Sequence, residues 1–485
     1  MKKEVIRIRV FLAAVPLIAA NSFWLMANWG TTGYASGQSF ATSTSLYYNV
    51  IFTLALLVGL NFVLCRAAPG LAFNRVEMLV LYVMLAVACS MAGHDTAQIL
   101  WPMLTYPTWF ATPENGWGQF QSYIPGWLTV ENRGGLKDFY VGGSSLYSLD
   151  HLMLLWRPVL AWSAVWIVLA LVMLCLVVIV RERWTNHEKL TYPVVEIPLA
   201  MTQSEGMLFA NKLMWLGFAL AAGIDLANGM HFLYPRIPGL GGSRYDIGQV
   251  FTTKPLSAIG YVPVAVYPFA IGMSFLIPAD LSFSIWFFYI LGKLILVAGD
   301  ILGRSNAPGF PYAAEQSAGV WIVLAAAALW GGRKHFAAQL RRALHAGKRA
   351  PDEPMSPRGA VLGLAIGLAL LVCFARSFGA STWLVLVYLA IFFLLAVAVT
   401  RVRAEVGPPS NDVFFDPLTT IVTFAGSARV GMPGLALFTM LQSLNRAYRC
   451  HPMPHMLEGF AMSARKNMSA NPTSPVWPSG SGVWA

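Results

Sequence analysis

Runs of about twenty apolar residues, each ended by a short polar turn, recur along this chain, and that is the length a helix needs to cross the hydrocarbon core of a bilayer. They lie at 10–29, 46–65, 76–92, 155–180, 213–233, 261–277, 281–302, 313–330, 360–379 and 382–400. Backbone amides and carbonyls in lipid must satisfy one another within the segment, so each run is predicted to be helical. The expected fold class is an all-α integral membrane protein with about ten transmembrane helices plus short re-entrant or interfacial helices. Composition excludes a soluble globule: 57% of the 485 residues are hydrophobic, only 11% are charged, and mean hydropathy is +0.59.

The net charge of +11 is no sign of nucleic acid, because the basic residues fall mainly in short loops and tails. With the N-terminus in the cytoplasm, most of the 33 Lys and Arg lie on that side, together with a polar hinge at 181–203 and a basic linker at 332–358. The expected location is the cell inner membrane, multi-pass. Residues 1–9 and the apolar run after them resemble a signal peptide, but hydrophobicity persists through Phe23, Trp24 and Leu25 to Trp29, which reads as an uncleaved anchor. Cys65, Cys89, Cys175, Cys373 and Cys450 lie in or beside apolar runs or on the cytoplasmic side, so no disulfide framework is indicated.

Four regions follow from this pattern. An N-terminal membrane bundle at 1–331 carries a large aromatic outer loop at 93–152 and the hinge; then come the linker, a C-terminal membrane segment at 359–459, and a disordered Ser, Pro and Gly-rich tail at 460–485. Within the third region, 418–441 is split by Ser427, Arg429 and Gly431 into halves too short to cross, which predicts a same-side hairpin with its tip buried among neighbouring spans.

The hinge reads RERWTNHEKLTYPVVEIPLAMTQ, and Pro193 and Pro198 rule out one continuous helix. Glu188 and Lys189 fit a cytoplasmic entrance or an ordinary charged turn. Glu196, alone between two prolines, can carry a proton. Glu405 precedes Gly407, Pro408 and Pro409 at a helix break, where transporters expose backbone to ligand. Asp225 and Lys293 fall near the middle of predicted spans, where ionised groups face a cavity or a partner, and they are expected to pair with each other. Asp300 reads as a solvated interfacial acid and Asp280 as a helix cap. His94 and Asp95 alone make no site, and without HExxH, CxxC or Walker spacing neither metal nor cofactor is expected.

The block EKLTYP at 188–193 resembles the KLTYP element of the oligopeptide and yellow-stripe transporter superfamily, whose members move peptides or metal chelates with protons. More of the chain resembles an uncharacterised bacterial multi-pass membrane family described as peptide-transporter-like. The matching pieces are RVEMLVLYVMLAV at 75–87, WPMLTYPTWFATPENGW at 101–117, SFSIWFFYILGKL at 282–294, FPYAAEQSAG at 310–319 and RVRAEVGPP at 401–409. Members of that family continue past the counterpart of HMLEGFAMSARKN with further spans, so the C-terminus reads as shortened.

The resemblance implies a secondary transporter-like protein moving peptides or small metal chelates with protons, with Glu188, Tyr192, Pro193, Glu196, Asp225, Lys293 and Glu405 on its substrate or proton pathway. Its expected partners are the lipid bilayer, a small peptide or chelate, and a homo-oligomer or membrane-complex partner. The shortened end favours the alternative, a non-transporting structural or assembly subunit. A membrane enzyme acting on lipid-linked substrates ranks lower, because Asp95, Glu114, Glu131, Asp138 and Asp150 are scattered through the outer loop without a basic clamp.

Overall fold

The computed structural model describes residues 6–32, 42, 46–203, 207–239, 245–265, 267–275, 277–345, 353–407, 413, 415–446 and 448–469. The first three helices are α1 (Arg9–Thr32), α2 (Tyr48–Ala67) and α3 (Arg75–Met91). The entry to α3 is fixed by a capping box in which Asn74 and Glu77 exchange hydrogen bonds of 2.8 Å, and the Glu77 carboxylate also receives the Arg7 guanidinium at 2.7 Å. A cap of short helices follows: α4 (Ala97–Trp109), α5 (Trp117–Gln121) and α6 (Lys137–Val141). Tyr140 stacks on Trp109 there at 4.8 Å between ring centroids.

The long α7 (Leu149–Glu182) leads from this cap end to the hinge end, where α8 (Glu196–Met201) and α9 (Met207–Ala210) are short. Three helices contribute no residue to the core clusters: α10 (Lys212–Leu233), α11 (Pro268–Phe275) and α12 (Ala279–Ile301). The chain returns through α13 (Ala313–Leu344), α14 (Pro357–Arg376) and α15 (Thr382–Val406), then α16 (Pro417–Ala425), α17 (Ser427–Met440), α18 (Gln442–Asn445) and α19 (Pro452–Ser469). A two-stranded ladder, β1 (Tyr245–Asp246) against β2 (Pro263–Val264), is the strand structure among the described residues.

The core is built by α3, α7, α14, α15 and α19. Helix α14 approaches α7 at Gly363 and Gly367, where an added methyl would stand 2.8 Å from the Cys175 sulfur and 2.4 Å from Val172. Small residues at such crossings let helix backbones pack closely without a hydrophobic drive from water. Helix α19 lies between α3, α7 and α15.

Among the described residues eight helices are long and apolar enough to cross a bilayer, not ten. One difference is α3, whose 17 residues stand at the lower limit for a crossing. The other is the predicted span at 261–277, which is strand β2 followed by the eight residues of α11. Pro263 and Pro268 remove amide donors there, and the helix forms only after the second. The basic stretch from Arg333 continues α13 as helix through Leu344, and residues 346–352 of the linker lie outside the described residues.

The segment at 418–441 breaks at Gly426 and again at Gly431, both at positive φ. Its tip is not buried as expected: Phe424 is 86% exposed, and Ser427, Ala428 and Arg429 are exposed as well. The tail expected from residue 460 is also corrected, since α19 runs through Ser469; residues 470–485 lie outside the described residues.

Candidate functional site

At the end of α7 the helix widens into a π-turn over Arg183–His187, closed by the Glu188 amide donating to the Arg183 carbonyl at 2.8 Å. Lys189 and Tyr192 then take left-handed backbone angles, φ 52 and 45, which are costly for side chains of that size and persist only where the surroundings enforce them. The enforcing contact is the end of α15. The Tyr192 amide donates to the Ala404 carbonyl at 2.8 Å, the Thr191 hydroxyl donates to the Glu405 carbonyl at 2.6 Å, and the Pro193 ring lies against Gly407. Two chain breaks far apart in sequence therefore form one joint.

Beside this joint lies a cavity of ≈ 380 Å³ lined by Arg183, Glu188, Arg401 and Glu405 on its polar side and by small apolar residues of α13 and α15 on the other. Glu188 is held between Arg401, at 2.5 Å, and Arg183, and Arg401 also reaches Glu405 at 3.4 Å. With two cations and two carboxylates converging on an apolar wall, the cavity can bind a small solute carrying both charges. Glu196 faces outward from the joint and pairs with Arg465 of α19, which also donates to the Thr191 carbonyl.

Asp225 and Lys293 do not join this site, nor do they pair with each other as expected. The Lys293 ammonium donates to the Tyr261 carbonyl at 2.6 Å and the Ile259 carbonyl at 3.3 Å, which a proline-broken segment leaves free. Asp225 is exposed, with no partner among the described residues. Asp300 pairs with Lys254 at 3.1 Å and accepts from the Ser305 hydroxyl at 3.0 Å.

A second cluster lies in the core. Arg403 of α15, 1% exposed, donates to the Glu458 carboxylate of α19 at 2.5 and 3.2 Å. His455 stands beside both, its Nδ1 3.5 Å from Glu458 and 3.4 Å from Arg403, and its Nε2 is 2.9 Å from the Tyr47 hydroxyl. With Nδ1–H directed to Glu458 and the Tyr47 hydroxyl donating to Nε2, His455 is neutral and every member has a partner. One turn towards the cap end, buried His451 lies near Tyr448 and Phe392, and its Nε2 has no hydrogen-bond partner among the described residues.

The cap end closes the line. Arg449 makes a two-pronged contact with buried Asp95 at 2.9 and 3.2 Å, and the Cys450 thiol donates to the Thr42 carbonyl at 3.3 Å. His94, bonded to Gln98 at 3.0 Å, is held below the usual imidazole range by burial, with Arg446 and Arg449 adding to the effect and Asp95 opposing it. Among the described residues no group of three His, Cys, Asp or Glu could hold a metal ion.

A family described as "Family of unknown function (DUF6785)" matches residues 1–477 of the chain. The chain belongs to DUF6785. Nothing matches among the curated proteins or among the solved structures. The DUF6785 match carries no statement of substrate or activity, so the reading rests on the geometry.

That geometry includes residues the sequence reading passed over. In this DUF6785 chain His455, Glu458 and Arg465 are spaced by three and seven residues, which lines one face of α19, and His451 stands four residues before His455, just ahead of the helix. Three of the four are buried and the fourth, Arg465, meets the hinge, and the spacing was a usable signal. It was obscured because the segment leads into a tail rich in Ser, Pro and Gly.

Proposed function

We propose that the protein is a secondary transporter-like membrane protein that moves a small zwitterionic solute, a short peptide or a metal chelate, coupled to protons. The observation that carries this reading is the buried Arg403–Glu458–His455–Tyr47 network at the centre of a helix bundle. Ionisable groups in a membrane interior are expensive to keep, and their common use is to conduct or couple an ion. The cavity at the joint offers the solute a place against the paired Arg401 and Glu405, and Arg465 of α19, the helix that carries His455 and Glu458, meets the joint at Glu196. The likeness of EKLTYP to the oligopeptide and yellow-stripe transporters supports the same reading, since this motif forms one half of the joint.

The topology belongs to the proposal: the N-terminus and hinge end in the cytoplasm, the cap end outside, the chain in the cell inner membrane. The second reading, a structural or assembly subunit, is favoured by the exposed α10 and α12, which a partner would cover. Uptake of labelled trialanine and of ferric citrate into proteoliposomes under a pH gradient separates the two. Accumulation that a protonophore abolishes and that Glu458→Gln lacks is the expected result. A wild-type protein that accumulates neither probe would leave the subunit reading in its place.

A further inference from the structure

The four charged groups of the joint cavity, Arg183, Glu188, Arg401 and Glu405, stand in a chain of alternating sign that is open at both ends. Its middle is saturated. Glu188 accepts from the Arg183 Nε on one oxygen and from an Arg401 Nη at 2.5 Å on the other, and its side chain is only 20% exposed. Two guanidinium groups on one carboxylate make charge-assisted bonds that a solute could displace only by stranding all three charges.

The two ends differ from the middle. Arg183 engages Glu188 through Nε alone, and its Nη groups make no hydrogen bond among the described residues. A methyl added at Gly331 of α13 would stand 3.5 Å from Nη2, so these donors lie at the α13 wall of the cavity. The Glu405 side chain is 52% exposed, and one of its oxygens meets Arg401, one turn back on α15, at 3.4 Å while the other has no partner among the described residues. A half-exposed pair one helical turn apart contributes little and yields to a better-placed cation. The cavity thus holds a free donor fork at one end of the chain and a free carboxylate oxygen at the other.

Taking the cavity as the solute's site, as the reading above does, we infer that Arg183 and Glu405 are the residues that select the solute: its carboxylate docks on the Arg183 Nη groups and its ammonium on Glu405, with Glu188 and Arg401 as the fixed frame between them. The class admitted is a zwitterion with a free amino end and a free carboxylate, from an amino acid to a short peptide. Such a solute gives each open end its opposite charge. The four resident charges sum to zero, so a neutral zwitterion leaves no net charge against the apolar wall of Leu324, Ala327 and Ala328. A chelate such as ferric citrate brings negative charge and no ammonium, and would set a like charge before Glu405. At ≈ 380 Å³ the cavity is near the small end of the range for ligand sites, which suits a solute of this size.

Isothermal titration of the full chain in detergent tests this apart from transport, which only uptake into proteoliposomes reads. At least one of alanine, dialanine and trialanine should bind. Acetylating its amino end or amidating its carboxylate should each weaken binding roughly tenfold or more, the loss of one charge-assisted contact. Glu405→Gln strands no buried charge and should keep the wild-type melting temperature. It should bind the free solute roughly tenfold more weakly and no longer distinguish it from the acetylated form, while still rejecting the amidated one. Arg183→Lys should show the converse, because a single ammonium engaged by Glu188 offers no free fork, so amidation then matters little. Ferric citrate should not compete. Indifference of the wild type to acetylation, an undiminished preference for the free amine in Glu405→Gln, competition by ferric citrate, or binding of none of the three would overturn the assignment. Binding with this selectivity but no accumulation in proteoliposomes would uphold it and overturn the transport reading, and accumulation without the selectivity would do the reverse.

Discussion

Arg403 illustrates how a single buried charge is tolerated. It has left water entirely, so the Glu458 carboxylate and its neighbours must replace the lost hydration. Arg403→Met should therefore leave a buried, uncompensated carboxylate and cost roughly 3 to 5 kcal/mol. Arg403→Met combined with Glu458→Leu should recover most of that loss, because two apolar side chains need no partner. Thermal melts in detergent would report both, and a double variant no more stable than the single would show that the two residues do not act as a unit. The partners are 55 residues apart in sequence, and His455 and Tyr47 are 408 apart. Composition and hydropathy carry no term for such pairings, which is why Glu458, at the end of the segment 359–459, was not singled out.

Among the elements, the joint between hinge and α15 was the most legible. The prolines at 193 and 198 and the Gly407 break mark where helices must stop, and Glu188, Tyr192, Pro193 and Glu405 do come together there. Gly407 is required twice: its φ of 63 is left-handed, and a methyl on it would stand 3.0 Å from the Pro193 ring. Gly407→Ala is accordingly expected to cost about 1 kcal/mol or more and to loosen the hinge, raising its cleavage in limited proteolysis. Adding Pro193→Ala should return part of the loss by removing the ring. An unchanged cleavage pattern in Gly407→Ala would mean that the joint does not hold the hinge. The segment at 261–277 was misread for the opposite reason: its apolar run has the length of a span, but its two prolines outweigh length. Lys293 was misassigned with it, because the carbonyls that hold its ammonium exist only where that helix fails to form.

For the molecule as a whole, the side on which the joint opens decides which compartment its cavity serves. With Cys65 and Cys373 replaced by serine, Ser356→Cys at the start of α14 should react with an impermeant maleimide only after cells are opened, and Ser145→Cys in the cap loop should react in intact cells. The reverse pattern would invert the proposed orientation. Helix length adds a further consequence. At 34 and 32 residues, α7 and α13 are about 51 and 48 Å long, against about 30 Å of hydrocarbon. They meet at the hinge end, where His335 reaches the Ile179 carbonyl at 3.2 Å and Gln339 reaches Glu182 at 2.5 Å. In the proposed orientation the surplus would stand as a stalk bearing Arg333, Lys334 and Arg341 at the level of the headgroups, directly after the α13 residues Leu324, Ala327, Ala328 and Gly331 that line the cavity. Anionic lipid pulls on such cations by about 1 kcal/mol each, and bilayer thickness sets how far a long helix must lean. In the proposed orientation the lipid composition of the membrane would act on the cavity mouth as a lever, independently of any solute within it.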